Sequence, residues 1–137
     1  LAHSRLGWWA ERAGKVEEAI RHYEKAIEAA PRRAIAASIN LANLLLDRAH
    51  GQDVARSLAL AFSASVNNTS SRLRPDVADI VARALIEAGH ERSAVEPARR
   101  AAEARPGAAE RLVRLGIAEA AAGNIARARE AGGPYIR

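Results

Sequence analysis

Residues 14–31, GKVEEAIRHYEKAIEAAP, limit the fold more than any other stretch, because they spell one helix with its own stop signals at both ends. Gly14 interrupts what precedes it, and Pro31 ends the run. Glu17 and Glu18 place carboxylates in the first turn, where the helix dipole is positive. Ala19, Ile20, Tyr23, Ala26 and Ile27 recur at helical spacing and make one apolar stripe. The same punctuation returns downstream. Gly89 lies 75 residues beyond Gly14, and Pro106 lies 75 beyond Pro31. Leu115-Gly116 and Gly123 lie 34 residues beyond Val81-Ala82 and Gly89.

Four helix pairs follow from this spacing. In the first, a helix over residues 2–13 carries Leu6, Gly7 and Ala10 on its contact side, and Gly7 is where the second helix leans in. Trp8 and Trp9 point about 100° apart on a helix, so the two indoles are expected to be buried to different extents. The second pair spans residues 34–48, with Leu41, Ala42 and Leu45 in contact, and residues 53–66, with Asp53 as the cap. Ser57, Leu58, Ala61 and Ala64 take its small and apolar positions, and Phe62 falls one place off the position of Tyr23. Residues 67–74, NNTSSRLR, followed by Pro75, read as an inserted loop. Its two N-glycosylation patterns carry weight only in a secreted eukaryotic protein. In the third pair Asp76 caps a helix reaching residue 88, with Val81, Ala82 and Leu85 in contact. A helix over 91–104 follows, with Ala94, Val95, Ala98 and Ala101 inward and Pro97 near its first turn. In the fourth pair Asn124 caps a short helix with Ile125 and Ala128 inward, stopped by Gly132-Gly133-Pro134, and Tyr135-Ile136-Arg137 forms a frayed tail or short cap.

Small residue, aromatic, small residue, then proline, with Leu6-Gly7 upstream, resembles the tetratricopeptide repeat, a helix-turn-helix unit about 34 residues long. Gly7, Gly14, Ala19, Tyr23, Ala26 and Pro31 carry the resemblance, which extends over nearly the whole chain. It implies an all-α fold: a right-handed superhelical stack of about four repeats, at residues 1–33, 34–74, 75–107 and 108–137, in a single domain. The chain starts without methionine and partway into a repeat, so it reads as a fragment of a larger protein. In this family the first helix of each pair lines a concave groove that binds an extended peptide or a partner helix. The resemblance therefore implies a non-catalytic protein-interaction scaffold. Once the contact positions are assigned, the groove residues are Arg5, Trp8, Arg12, Asn40, Asn43, Asp47, Asp76, Asp79, Arg83 and Arg114, with Ser4 and Glu11 beside them. Asn40 is singled out because family members use an asparagine before the leucine to hydrogen-bond a ligand's backbone. The subtype that clamps a terminal carboxylate with lysine and arginine is not matched, since Ser4, Asp76 and Ile80 stand at the cation positions. A groove of mixed sign predicts a partner carrying both signs.

Composition narrows the function classes. At 49% hydrophobic and only 4% aromatic, the core must be built from small side chains at close helix contacts. Without cysteine the chain has neither disulfides nor thiolate metal sites. No apolar run reaches the length of a membrane span. The net charge of +5 comes from basic residues, nearly all arginine, scattered along the helices. The closest approaches to a cluster are Arg32-Arg33, Arg72-x-Arg74 and Arg99-Arg100, so no specific nucleic-acid partner is expected. His3, His22, His50 and His90 are read as scattered over different repeats, and no two have the i, i+4 spacing of a helical zinc site. There is no phosphate loop, nucleophile elbow or cysteine nucleophile, so no enzyme, metal or cofactor is expected. Two alternatives stand beside the scaffold. One is an accessory module of an enzyme or of an envelope-polysaccharide assembly system, binding glycan on Trp8 or Trp9. The other is self-association through apolar repeat ends. The alanine and arginine bias points to a bacterial source and leaves open a cytoplasmic or periplasmic location.

Overall fold

The computed structural model describes residues 2–133; the expectations for Pro134 and residues 135–137 lie outside them. The described chain is all-α, with helices α1 (Ala2–Arg12), α2 (Val16–Ala29), α3 (Ile35–Arg48), α4 (Asp53–Asn67), α5 (Arg74–Glu87), α6 (Val95–Ala104), α7 (Ala109–Ala121) and α8 (Ile125–Gly132). A 3₁₀ turn, Glu91–Ala94, precedes α6. The chain divides into two compact units, one ending at Leu73 and the other beginning at Arg74. In the first unit α1 pairs with α2, α2 packs on α3, and α3 pairs with α4. In the second, α5 pairs with α6, α6 packs on α7, and α7 pairs with α8.

Three of the helix pairs turn in the same way. Gly14, Gly89 and Gly123 take left-handed φ values of 76°, 85° and 85°. The following amide reaches back five residues: Lys15 N–H to Ala10 O at 2.9 Å, His90 N–H to Leu85 O at 2.8 Å, and Asn124 N–H to Glu119 O at 2.8 Å. This is the Schellman closure, in which glycine relieves the steric cost of a left-handed residue and satisfies the last carbonyls. The α3–α4 turn differs, because Ala49 itself is left-handed at φ 51° and Gly51 follows at 53°.

Each pair then closes on a small residue. A Cβ at Gly7 would lie 2.6 Å from Tyr23 Cε1 and 2.7 Å from Cδ1, so only glycine admits this ring. One repeat on, Ser57 takes the place of Tyr23, which corrects the expected register of Phe62 from one place off to five, and the Ser57 hydroxyl donates to Ala42 O at 2.9 Å. Ala82 and Ala98 stand at the equivalent positions of the third pair, Gly116 and Gly132 at those of the fourth, and all four are buried. Around the first joint the core gathers Ala10, Ala19, Ile20, Ala26, Leu41 and Leu45 with Tyr23. In the second unit Ile80, Ala82, Ala84, Ala94 and Ala118 are buried.

Several expectations are corrected. Leu6 is 47% exposed, because α1 packs mainly on α2 and turns Gly7 and Ala10 toward it. Ile125, expected inward, is 52% exposed. The inserted loop is shorter than expected, since Asn67 ends α4 while Arg74 and Pro75 belong to the first turn of α5, where a missing amide costs nothing. Asn68 closes what remains as an Asx turn, its Oδ1 accepting from Ser70 N–H at 3.1 Å and its Nδ2 donating to Ser70 O at 2.9 Å. The helix expected over 91–104 is broken: it opens as the 3₁₀ turn, and Pro97 becomes the third residue of α6. Asn124 sits at the N-cap of α8 but makes no capping bond with its side chain.

Asp53 and Asp76 are not caps either; each lies inside the first turn of its helix. The buried Asp53 carboxylate accepts from Arg48 Nε at 2.8 Å, Arg48 Nη2 at 3.0 Å and His50 N–H at 2.9 Å. Arg48 also donates to Glu17 Oε1 at 2.8 Å, tying the start of α2 to the α3–α4 turn. The Arg48 hydrogen bonds are the main cause that holds Asp53 at about 2, below its ordinary 3.8.

Two outcomes follow. The lowered pKa makes Asp53 stabilising above the unfolded carboxylate range, with the contribution lost as pH falls through about 2. Urea unfolding from pH 5 to pH 2 should therefore show wild type losing stability more steeply than Asp53→Asn. Gly89 and Gly107 both have open space at Cβ, but only Gly89 has positive φ. Gly89→Ala should cost about 1–2 kcal/mol, whereas Gly107→Ala should be neutral or gain about 0.4–1 kcal/mol, as read by thermal denaturation.

Candidate partner-binding surface

Arg5, Trp8 and Arg12 follow one another at i+3 and i+4 along α1 and so share a face. All three are exposed. The Arg12 guanidinium carbon lies 4.7 Å from the centroid of Trp8, a cation–π contact. Trp9 meets Trp8 edge-on at 5.1 Å, with the rings inclined by 76°. At 43% and 59% exposure both indoles lie at the surface, which corrects the expectation of unequal burial. The reason is the close seat of Tyr23 on Gly7: it directs Gly7 and Ala10 inward and turns the adjoining positions away.

Tyr23 is fully buried, and its hydroxyl donates to Glu11 Oε1 at 2.8 Å. The Asn40 side chain hydrogen-bonds the same hydroxyl. Burial first, and then the bond to Glu11, push the phenol above its ordinary value of 10, with the Asn40 bond acting in the opposite sense. The polar chain Glu11–Tyr23–Asn40 thus joins α1, α2 and α3. Asn43 and Asp47 continue the α3 face at helical spacing, and each has an interaction partner of its own.

The second unit uses its charges differently. Asp76 Oδ1 accepts from Arg111 Nη2 at 2.9 Å, and Asp79 Oδ1 accepts from Arg114 Nη1 at 2.7 Å. Arg111 Nε lies 3.8 Å from Asp79 Oδ2, while its Nη1 donates to Ala101 O at 3.0 Å. Asp76, Asp79 and Arg114 therefore come together between α5 and α7 around Arg111, a buried residue that sequence reasoning missed. The signal was available: Asp76/Asp79 and Arg111/Arg114 share an i, i+3 spacing, one repeat apart. Arg83 is half-buried and has a partner. Glu119, also buried and also missed, accepts from Arg99 Nη2 at 3.0 Å through Oε1, while its Oε2 has no hydrogen-bond partner.

Each unit also carries a groove along its second helices. The first, about 630 Å³, is lined by Glu24, Ile27, Glu28, Pro31, Arg56 and Leu60, and the second, about 540 Å³, by Arg99, Ala102, Glu103, Pro106, Leu115 and Arg127. Glu28/Glu103 and Pro31/Pro106 are 75 residues apart, so the two grooves occupy equivalent places. None of the ten expected residues lines either one. Among the described residues no group of three or more His, Cys, Asp or Glu is placed to hold a metal ion, and no helix is long and apolar enough to cross a membrane.

The tetratricopeptide repeat family model matches residues 1–33. Among curated proteins none matches the sequence. The chain is similar to the crystal structure of MamA, with 21% identity and a TM-score of 0.73, over 92% of this chain and 70% of that one. A second MamA crystal structure matches at 20% identity and a TM-score of 0.74, over 95% and 67%. A MamA AMB-1 structure matches at 15% identity and a TM-score of 0.72, over 97% and 70%. At these identities the likeness speaks to fold, and it agrees with the helix pairs described above. The first repeat of this chain is a tetratricopeptide repeat, and the helix pairs that follow carry the same fold.

Proposed function

We propose that the chain is a non-catalytic protein-interaction scaffold that binds an extended peptide or a partner helix on the faces of its first helices. The tetratricopeptide repeat at residues 1–33 supports a scaffold in general. The finer reading, a ligand face in the first unit, is carried by one observation: an exposed Trp8 held under Arg12, on the helix whose Glu11 begins the chain to Tyr23 and Asn40. Aromatic and arginine side chains are the usual anchors of protein contacts, because they bring large area at low entropic cost. Arg5, Trp8 and Arg12 on α1 and Asn40, Asn43 and Asp47 on α3 form this face. Asn40 uses part of its amide on Tyr23 and retains capacity for a backbone partner.

Asp76, Asp79, Arg83 and Arg114 are the corresponding residues of the second unit. There a ligand must compete with ion pairs already made to Arg111 and Arg114, so that face contributes less. Glycan binding is the second reading, favoured by the 59% exposure of Trp9.

Selection of binding peptides by display, followed by anisotropy titration, tests the proposal. Trp8→Ala should weaken binding by at least about tenfold, in the range of an interface hot spot. Arg12→Ala should weaken it less, and rising salt should weaken it further. Unchanged affinity in Trp8→Ala would overturn the face assignment. Salt-insensitive oligosaccharide binding lost in Trp9→Ala would favour the second reading.

A further inference from the structure

His3 and His22 belong to one helix pair, which corrects the expectation that the four histidines are scattered, and their Nδ1 atoms, 3.2 Å apart, are joined by one hydrogen bond. That pair is closed; Glu119 in the second unit is not. The Glu119 carbonyl accepts the turn-closing amide of Asn124 as the carbonyls of Ala10 and Leu85 accept those of Lys15 and His90, so the three residues hold one position of the repeat. Leu45 holds it in the second pair, four residues after Leu41 as Glu119 is four after Leu115. Ala10, Leu45 and Leu85 are buried apolar contacts, whereas Glu119, at 1% exposure, puts a carboxylate in the same seat. Among the described residues its Oε2 has no hydrogen-bond partner. A buried carboxylate with an oxygen left unpaired costs stability that the leucine of the other pairs does not.

Glu119 lines the groove of this unit, and so does Arg99, whose Nη2 donates to Oε1 at 3.0 Å. The carboxylate end therefore adjoins the groove. Ala102, Leu112 and Leu115 give it apolar walls. Glu103, Glu119 and Glu130 stand there against Arg99 and Arg127, and Arg99 is already engaged by Glu96 and Glu119, so the balance of charge favours a cation. We propose that this groove takes a lysine side chain of a protein partner, the apolar walls receiving its methylene stem and Glu119 Oε2 accepting a hydrogen bond from its ammonium group. An arginine fork would need both carboxylate oxygens, and Arg99 holds one of them; a lysine ammonium is a point donor and needs only the other. Oε2 is closed to solvent in the ligand-free chain, and the exposed side chains of Arg127 and Glu130 at the rim turn aside to admit the ligand. The proposal takes from the scaffold reading only that the partner is a protein, and makes no use of the α1 and α3 face.

The test is an NMR titration of the chain with N-acetyl-lysine-N-methylamide beside its norleucine analogue, which has the stem without the charge. The lysine probe should shift the Leu112 and Leu115 methyl resonances saturably and bind at least tenfold tighter than the norleucine probe. Glu119→Gln should lose that preference, whereas Glu28→Gln, in the equivalent groove of the first unit, should keep it. Glu119→Leu restores the apolar residue of the other pairs and leaves Arg99 its bond to Glu96. It should unfold at a higher temperature than wild type and yet lose the lysine probe, which separates loss of the site from loss of the fold. Equal affinity for the two probes in wild type, an unchanged preference in Glu119→Gln, or shifts confined to the first groove would overturn the site. Tighter binding of the free diamine cadaverine than of the lysine probe would overturn the protein partner.

Discussion

The first unit depends on how closely Tyr23 sits on Gly7. With ring carbons 2.6–2.7 Å from where a Cβ would be, α2 lies nearer to α1 than any other residue at position 7 would permit. That closeness buries a large ring completely in a chain otherwise poor in aromatics, and it lets the hydroxyl at the far end of the ring reach Glu11 and Asn40. It also orients α1. With Gly7 and Ala10 turned inward, Leu6, Trp8 and Trp9 face outward, so one packing constraint makes both the joint and the aromatic surface. The other pairs solve the same problem with small side chains, and only the first pairs a glycine with an aromatic ring.

Buried charge follows the joints. Asp53 sits at the α3–α4 turn and holds Arg48, and Arg111 sits where α7 meets α5 and α6 and holds Asp76 and a carbonyl of α6. Groups this deep are costly to desolvate, and the cost is met only when several hydrogen bonds are made at once. These residues therefore fix geometry more than they add stability. They also distinguish the two units: Asp76 and Asp79 on α5 are engaged by Arg111 and Arg114, while α1 of the first unit exposes Arg5, Trp8 and Arg12.

Much of the fold was legible in the sequence, because helix stripes and turn glycines are local and periodic. Gly14, Gly89 and Gly123 marked their turns correctly, and Leu41, Ala42, Leu45, Val81, Ala82 and Leu85 are buried as their spacing required. Contacts between distant positions were not legible. His3 meets His22 across 19 residues, and no helical period announces it, while Arg111 meets Asp76 across 35, where only the matching i, i+3 pairs one repeat apart hinted at the contact. Capping was misread for a related reason: Asp53 and Asp76 stand where a cap would be sought, but a guanidinium from a neighbouring turn or helix took their carboxylates. The shared helix face of Arg5, Trp8 and Arg12 follows from their spacing, whereas the bond from the Tyr23 hydroxyl to Glu11 came only from the packing.

A double-mutant cycle at Gly7 and Tyr23 tests the central claim most directly, followed by tryptophan fluorescence during urea unfolding, since both tryptophans lie on α1. With Tyr23 present, Gly7→Ala should destabilise the first unit by about 1–3 kcal/mol through overpacking. In a Tyr23→Leu background the same change should be harmless or gain up to about 1 kcal/mol of helix propensity. Equal effects in the two backgrounds would contradict the account, because they would mean that the joint does not rest on the ring against the glycine.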